Sequence, residues 1–377
     1  MAHSNSNSRQ ITTIQSSAIL VSTIIGVGVL PLPLFAVRAG GSGAPLVTLL
    51  GMLVGFLGLA LISLLGMRFP NKSIVEYSED IIGKWLAAIG TVLLIAFFSV
   101  LTSLAAREFG EVVVTSVLKN TPLEVTVIVM LLLAAVSTRN NLVTFSYIHL
   151  FYFPFLLGPA LLIVALSLKN ADIINLQPNW GNDQSQMPKG VLTIAALFQG
   201  SFVMTIVIPG MRNPKKSMLA SVMAILIAGG LYFAIVIAAV GVFGAEEIKN
   251  LLWPTLELAK ATSLPANVLE RLDAAFLAVW VTAVFTTLFS SYYLTIRFVS
   301  NLFRLKDHNM FSFFLLPFVF IMAVIPQNII QMYDIIEDVG RIGLFITIGY
   351  PAFLYVVSLI RGKRGDRVGT QPVDPAN

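Results

Sequence analysis

The segment TIIGVGVLP, residues 23–31, interrupts the first long apolar stretch of the chain, which runs from Ile11 to Val37. Gly26 and Gly28 weaken a helix and Pro31 removes a backbone N–H donor, so an ordinary spanning helix has no need of all three. Unwound backbone inside a bilayer is tolerated where protein buries it or where it lines a cavity. Such breaks bind solutes in transporters, although close packing around a proline kink explains this segment equally well.

The composition indicates a polytopic helical membrane protein. Of 377 residues, 56% are hydrophobic and only 11% are charged, whereas soluble domains carry about 25% charged residues. The absence of cysteine excludes disulfides and thiolate chemistry. Ten apolar segments are predicted to span the membrane as helices. They are Ile11–Val37, Ala44–Met67, Trp85–Val117, Leu123–Thr138, Thr144–Leu168, Val191–Pro209, Met218–Phe243, Ala274–Ile296, Met310–Pro326 and Ile342–Ile360.

The distribution of lysine and arginine predicts the topology. With the N-terminus in the cytoplasm, fifteen basic residues face the cytoplasm and eight face outward, so both termini are predicted to be cytoplasmic. The net charge of +5 comes from these short loops and does not indicate nucleic-acid binding. The predicted organisation is a tail (1–10), a five-helix repeat (11–168), an outer connecting loop (169–188), a second five-helix repeat (189–361, with an outer surface segment at 244–270) and a cytoplasmic tail (362–377).

A second break occupies the corresponding position in the second half. Five spans in each half is an odd number, so the second half enters the membrane with opposite polarity and forms an inverted repeat. Its first span contains ALFQGSF, residues 196–202, followed by Pro209. Two breaks at matching positions favour a solute site between the halves over two unrelated kinks.

The predicted ligand-binding residues lie at the two breaks and on hydroxyl-bearing stretches of the third and eighth spans. They are Gly26, Val27, Gly28, Ser99, Ser103, Phe198, Gln199, Gly200, Thr286, Thr287 and Ser290. Thr286 and Thr287 point about 100° apart on one helix, so we expect one to bound the pocket and the other to hydrogen-bond elsewhere. The alternative is that these hydroxyls bond to carbonyls of their own helices.

The inferred pocket is small, apolar and hydroxylated, with no formal charge at its centre. It favours a zwitterionic amino acid with a small or branched side chain over a sugar, which needs more amide and carboxylate partners. Unwound N–H groups of the first span suit the carboxylate, and carbonyls of the sixth span suit the ammonium group.

Charges near the outer end of the third span predict a possible outer gate formed by Arg107, Glu108 and Glu111. Arg107 and Glu111 are four residues apart and can pair on one helix face, although a surface pair at the membrane interface is the alternative. His149 is interpreted as an interfacial histidine. Metal-ligand spacings, nucleophile–base pairs and phosphate loops are absent from the sequence, so no metal site, cofactor or enzymatic activity is predicted.

A series of short motifs, in order along nearly the whole chain, resembles the B subunits of bacterial spore germinant receptors. These subunits belong to the amino acid–polyamine–organocation transporter superfamily. The motifs are IGVGVL-x-LP at 25–33, FP-x5-EY at 69–77, GKW at 83–85, TP at 121–122, NL-x-P at 175–178, PKK at 214–216, LWPT at 252–255 and ER-x8-W-x5-TT at 270–287.

The resemblance implies an all-α fold of the leucine-transporter type, with about ten spanning helices in a 5+5 inverted repeat and breaks in helices 1 and 6. It implies that a small germinant binds between helices 1, 6, 3 and 8, in the spore inner membrane, beside an A subunit and a lipoprotein C subunit. The sequence departs from the family pattern at two places, so the resemblance does not give the identity of the ligand. No arginine follows the proline of the first span, and Gln199-Gly200-Ser201 stands where an acidic or bulkier residue is common.

Two interpretations of the function remain open at the level of sequence. In one, the protein senses an amino acid and signals to partner subunits. In the other, it is an active secondary transporter for amino acids. Both use the same architecture. The lack of an acidic residue beside either break in the sequence argues against obvious ion coupling and favours the sensor.

Overall fold

The computed structural model describes residues 10–181, 185–262, 272–305 and 307–365, so most of the two predicted tails lies outside it. Within these ranges the chain is helical apart from loops and one isolated bridge between Ile11 and Met211. The helices of the first half are α1 (Thr13–Ile24), α2 (Leu32–Gly40), α3 (Ala44–Arg68), α4 (Ile74–Ile82), α5 (Lys84–Ser116), α6 (Leu123–Ser137) and α7 (Leu142–Ser167).

The second half repeats the alternation of long helices and breaks. Its helices are α8 (Met187–Ala196), α9 (Met204–Val207), α10 (Ser217–Ile248), α11 (Pro254–Ala261), α12 (Leu272–Leu302), α13 (Asn309–Phe314), α14 (Leu316–Val324), α15 (Ile329–Leu344) and α16 (Tyr350–Ile360). A π-helical turn at Phe345–Gly349 joins α15 to α16.

Both predicted breaks are confirmed. After α1 ends, Gly26 has non-helical torsions (φ −144°, ψ −131°), a short 3₁₀ turn covers Val27–Val29, and Pro31 precedes α2. In the sixth span, α8 ends at Ala196 and a 3₁₀ turn follows at Gln199–Val203. The two segments of this span are bent by 42°. Gly26 lies at the first break as predicted, whereas α8 already ends at Ala196, before Gly200 is reached.

The structure confirms a multi-pass membrane protein. Six helical runs in the described ranges are long and apolar enough to cross a membrane, and the bent sixth span makes a seventh. Three shorter apolar helices coincide with the predicted first, fourth and ninth spans: Thr13–Ile24, Leu123–Ser137 and Asn309–Val324. The total of ten spans stays a prediction.

The predicted start of the tenth span is wrong by about a dozen residues. The helix begins at Ile329 rather than Ile342, so Glu337, Asp338 and Arg341 lie on α15 and not in an outer loop. Arg341 forms ion pairs with Glu337 at 3.0 Å and with Asp338 at 2.5 Å. These pairs, between residues three and four apart on one helix, neutralise the charges that interrupt the apolar pattern of the sequence.

The broken first span lies in the interior of the molecule. Ten of the twelve residues of α1 are buried, among them the polar residues Gln15, Ser16, Ser17, Ser22 and Thr23. It packs against α7, α10 and α12, while α8 packs against α3 and α15, and α5 runs along α12. The backbone N–H groups of residues 10 and 11 donate to the carbonyl of Gly210, which ties the start of the first span to the end of the sixth.

Candidate functional site

A cavity of about 90 Å³ lies where the two breaks face α5 and α12. Val27 and Gly28 line it from the first break, Gln199 and Gly200 from the second, and Thr287 from α12. A water molecule needs about 10–15 Å³ on this measure. Each water takes about 30 Å³ in the liquid, so the cavity holds about three waters, the space of a very small amino acid.

The other predicted ligand-binding residues do not line this cavity. The hydroxyls of Ser99 and Ser103 donate to the carbonyls of Ile95 and Val100, both at 2.7 Å, as the alternative interpretation proposed. Phe198 is buried, and its ring meets the ring of Tyr232 edge to face with centroids 5.5 Å apart. The direction of Phe198 did not follow from helical periodicity, since the backbone turns at the second break.

Gly26 lies beside the cavity and is packed against Thr287. A Cβ atom built on Gly26 would be 1.9 Å from Thr287 Oγ1 and 2.7 Å from its Cβ. These distances are far shorter than any real contact, so a side chain at this position requires α12 to move. Glycine is therefore required at Gly26 by close approach of the backbone to α12.

Thr286 and Thr287 point in different directions, as expected. Thr287 lines the cavity and donates to the carbonyl of Thr23 at 3.0 Å. Thr286 is fully buried away from it and donates to the carbonyls of Ser22 at 2.8 Å and Ala283 at 2.9 Å. A contact between Thr287 and a ligand stays a prediction.

The last carbonyl groups of α1 accept hydrogen bonds from side chains of other helices. Helix ends leave such carbonyls without partners in their own helix. The three pairs are Thr286 with Ser22, Thr287 with Thr23 and Tyr232 with Ile24, the last at 2.6 Å. Because α10 and α12 supply these donors, the first break is fixed to both helices.

The interpretation of His149 as interfacial is wrong. Its side chain is 0% exposed, and its Nδ1 lies 2.5 Å from Ser22 Oγ. Its Nε2 lies 3.2 Å from Ser290 Oγ, and this hydroxyl also pairs with Thr23 Oγ1 at 2.7 Å. His149 is about 10 Å along α7 from its start, where α7 crosses α1. Ser290, predicted to bind ligand, takes part in this buried network.

A carboxyl group lines the cavity, whereas the pocket was expected to carry no formal charge at its centre. Glu108 is 2% exposed and follows Leu101 and Leu104, which line the same cavity, at helical spacing. The hydroxyl of Tyr333 donates to Glu108 Oε1 at 3.3 Å. Glu337 also borders the cavity, from α15. On the basis of the sequence, Glu108 and Glu337 were expected nearer the outer surface.

The predicted pairing of Arg107 with Glu111 is confirmed. Their side chains are 2.7 Å apart at the closest atoms and only 9% and 15% exposed, which excludes an open surface pair. Glu108 points to the cavity instead of joining this pair. A gating role for the three residues stays a prediction.

The outer surface segment is connected to the first break. The helix α11 packs against α10 and α12. The Thr255 hydroxyl donates to the carbonyl of Val29 at 2.7 Å. Trp253 Nε1 donates to the hydroxyl of Tyr333 at 2.7 Å, which in turn contacts Glu108. The remainder of this segment, 263–270, lies outside the described residues.

Residues 10–332 match the model of a family described as spore germination protein. The chain is 28% identical to spore germination protein YndE of Bacillus subtilis over 359 residues, which cover 95% of this chain and 98% of that protein. It is 25% identical to spore germination protein B2 of Bacillus subtilis, covering 94% and 97%. GerLB of Bacillus cereus is 23% identical and is covered over 93% of its length.

Among solved structures, a Na⁺-coupled sialic acid symporter in a substrate-bound outward-open state matches with a TM-score of 0.65. The match covers 90% of this chain and 78% of the symporter at 11% identity, so it concerns the fold. It confirms the fold of the leucine-transporter type. The family and this transporter-like fold are those of membrane proteins that are not enzymes. The chain therefore belongs to the spore germination protein family, as a germination-permease-like subunit of the germinant-receptor B type.

Proposed function

We propose that the chain senses a small germinant, an amino acid, and signals its presence to the A and C subunits of a germinant receptor. The observation that carries this proposal is a cavity of amino-acid size formed by both breaks, in a member of the spore germination protein family. We further propose that the protein lies in the spore inner membrane with both termini in the cytoplasm, as the distribution of basic residues predicts.

The lining suits a zwitterion with an apolar side chain. Unwound backbone at Val27 and Gly28 can present N–H groups to a carboxylate. Phe35, Leu101 and Leu104 form an apolar wall for the side chain. This combination of few polar groups and an apolar wall is typical of small-molecule sites.

A route for the signal runs through the outer helix. A ligand shifts a conformational equilibrium only if it binds one state better than the other. Since Thr255 bonds to the carbonyl of Val29 beside the cavity, a change in the first break moves the donor on α11 or breaks its hydrogen bond. α11 then presents a different surface to partner subunits on the outer side.

The alternative is active secondary transport of amino acids. A larger cavity of about 760 Å³ opens among the start of α1, the start of α7 and the end of α12, with Asn141 and Arg297 in its lining. Such a vestibule on the predicted cytoplasmic side would let a solute leave inward. The Thr23–Ser290–His149 network lies on the helices between the two cavities.

Binding and uptake measured on one preparation separate the two functions. The full chain is purified in detergent for binding of radiolabelled L-alanine, L-valine, L-leucine and L-proline, and is reconstituted in proteoliposomes for uptake. We expect binding without uptake. Gly200→Leu serves as the non-binding control, because a Cβ at Gly200 would lie 2.8 Å from Thr23 Cγ2 and 3.0 Å from its carbonyl oxygen. Concentrative uptake would establish the transporter, and binding of a sugar but of no amino acid would overturn the ligand class.

A further inference from the structure

We propose, resting on the function above, that Glu108 supplies the negative charge that receives the ammonium group of the germinant. This assigns the ligand class as a primary or secondary amine carrying a carboxylate. It also fixes the direction of the ligand, with its ammonium group toward α5 and its carboxylate toward Val27 and Gly28.

The first support is the state of the Glu108 carboxylate. It is almost completely buried, and among the described residues it takes part in no ion pair. The neighbouring Arg107 is bound to Glu111 instead. The bond from Tyr333, at 3.3 Å, is long for a hydroxyl donor, whose usual distance is about 2.7–2.8 Å. Burial disfavours the charged form of a carboxyl group unless a close opposite charge offsets it, and the ammonium of a ligand in the adjoining cavity provides one.

The second support is that the competing carbonyls of the first break each already accept one hydrogen bond. The carbonyls of Ser22, Thr23 and Ile24, which end α1 beside the cavity, accept hydrogen bonds from Thr286, Thr287 and Tyr232. The hydroxyl of Thr255 occupies the carbonyl of Val29. An ammonium group has three donors, and each of these carbonyls has one lone pair left, so acceptors with free lone pairs such as the Glu108 carboxylate are favoured.

The third support is a second acceptor on the same cavity. Gln199 donates from Nε2 to the carbonyl of Gly340 at 2.7 Å, while its Oε1 has no hydrogen-bond partner in the described part of the chain. A buried oxygen without a partner is costly, and an ammonium donor satisfies it. Glu108 and Gln199 thus offer a carboxylate and an amide oxygen to the same ligand group.

The second acid of the cavity is already neutralised. Glu337 forms ion pairs with Arg341 at 3.0 Å and with Arg38 at 3.4 Å. A paired carboxylate gains less from a further cation than an unpaired one. The difference selects Glu108 as the partner of the ligand.

The test compares Glu108→Gln and Glu108→Asp with the wild-type full chain in detergent. The probes are L-alanine, L-valine, L-leucine and L-proline, each with the carboxylic acid that lacks its amino group. Glu246→Gln, an exposed acid at the outer end of α10, is the isosteric control. Unfolding temperatures verify that each variant is folded.

We expect the wild type to bind the amino acid at least tenfold more tightly than the matching carboxylic acid. Glu108→Gln should weaken amino-acid binding at least tenfold, or 1.4 kcal/mol, without changing binding of the carboxylic acid. Glu108→Asp should retain more affinity than Glu108→Gln. Equal affinity of wild type and Glu108→Gln for the amino acid overturns this role and leaves the proposed function standing. If Glu108→Gln does not fold, the wild type alone decides the question. Equal wild-type affinity for each amino acid and its matching carboxylic acid then overturns the role of Glu108. Wild-type protein that binds no amino acid overturns both.

Discussion

The two adjacent threonines of α12 offer a matched test of the cavity. Replacing Thr287 with valine keeps the shape of the side chain and removes the hydroxyl that donates to the carbonyl of Thr23. Leaving that acceptor without its donor costs about 1 kcal/mol, a factor of about five in affinity for a ligand that needs the first break in this geometry. Thr287→Leu should have a larger effect. Its branch cannot turn toward Gly26, where the backbone is already in contact, so it enters the cavity of about 90 Å³.

The same substitutions at Thr286 serve as the control. Thr286 bonds to the carbonyl of Ser22 and does not border the cavity. Thermal unfolding and ligand-dependent stabilisation are measured for both pairs of variants, with L-alanine, L-valine, L-leucine and L-proline as probes. We expect Thr287→Leu to raise the half-saturating concentration at least tenfold, and Thr286→Leu, which only removes a bond to the end of α1, to lower the unfolding temperature and raise half-saturation by no more than about fivefold. Thr287→Ser should be mild, since the hydroxyl stays. Equal effects of Thr286→Leu and Thr287→Leu on half-saturation would refute the assignment of this cavity.

Three further predictions address the surroundings of the cavity. Gly26→Ala should abolish ligand-dependent stabilisation, because its Cβ would collide with Thr287 of α12. Gly28→Ala meets only the flexible end of Leu197 and should keep at least part of the stabilisation. Similar binding curves for the two variants would contradict the packing described. Thr255→Val should weaken the attachment of α11 to the first break by about 1 kcal/mol, visible as faster hydrogen exchange across α11, and unchanged exchange would mean that the bond contributes nothing. His149→Ala should lower the free energy of unfolding by about 1–3 kcal/mol, because it removes one hydrogen-bond partner from each of two buried serine hydroxyls; a wild-type denaturation curve would argue against this network.

The features predicted correctly from the sequence are those with a local cause. Gly26 and Pro31 break a helix through their own backbone properties, so the first break needed no knowledge of the packing. The separation of Thr286 from Thr287 follows from the pitch of one helix. The pairing of Arg107 with Glu111 follows from their spacing on α5.

The features that were missed depend on contacts between distant parts of the chain. His149 is buried because Ser22 and Ser290 offer it partners from α1 and α12, which a single-sequence pattern does not show. Glu108 faces the cavity because α5 presents that side to both breaks. The start of the tenth span was missed because charges on α15 pair within their own helix, and such pairs resemble a polar loop in a hydropathy profile.

The main-chain hydrogen bonds that join the start of the first span to the end of the sixth affect what a mutational scan can detect. Two consecutive N–H groups donate to the carbonyl of Gly210, and the N–H of Arg212 donates back to the carbonyl of Ile11. Main-chain groups form all three bonds, so alanine scanning leaves them intact and would classify this joint as tolerant. A proline at position 11 deletes one of the donors. An alanine scan would therefore miss this connection between the two interrupted helices, and only a proline scan would detect it.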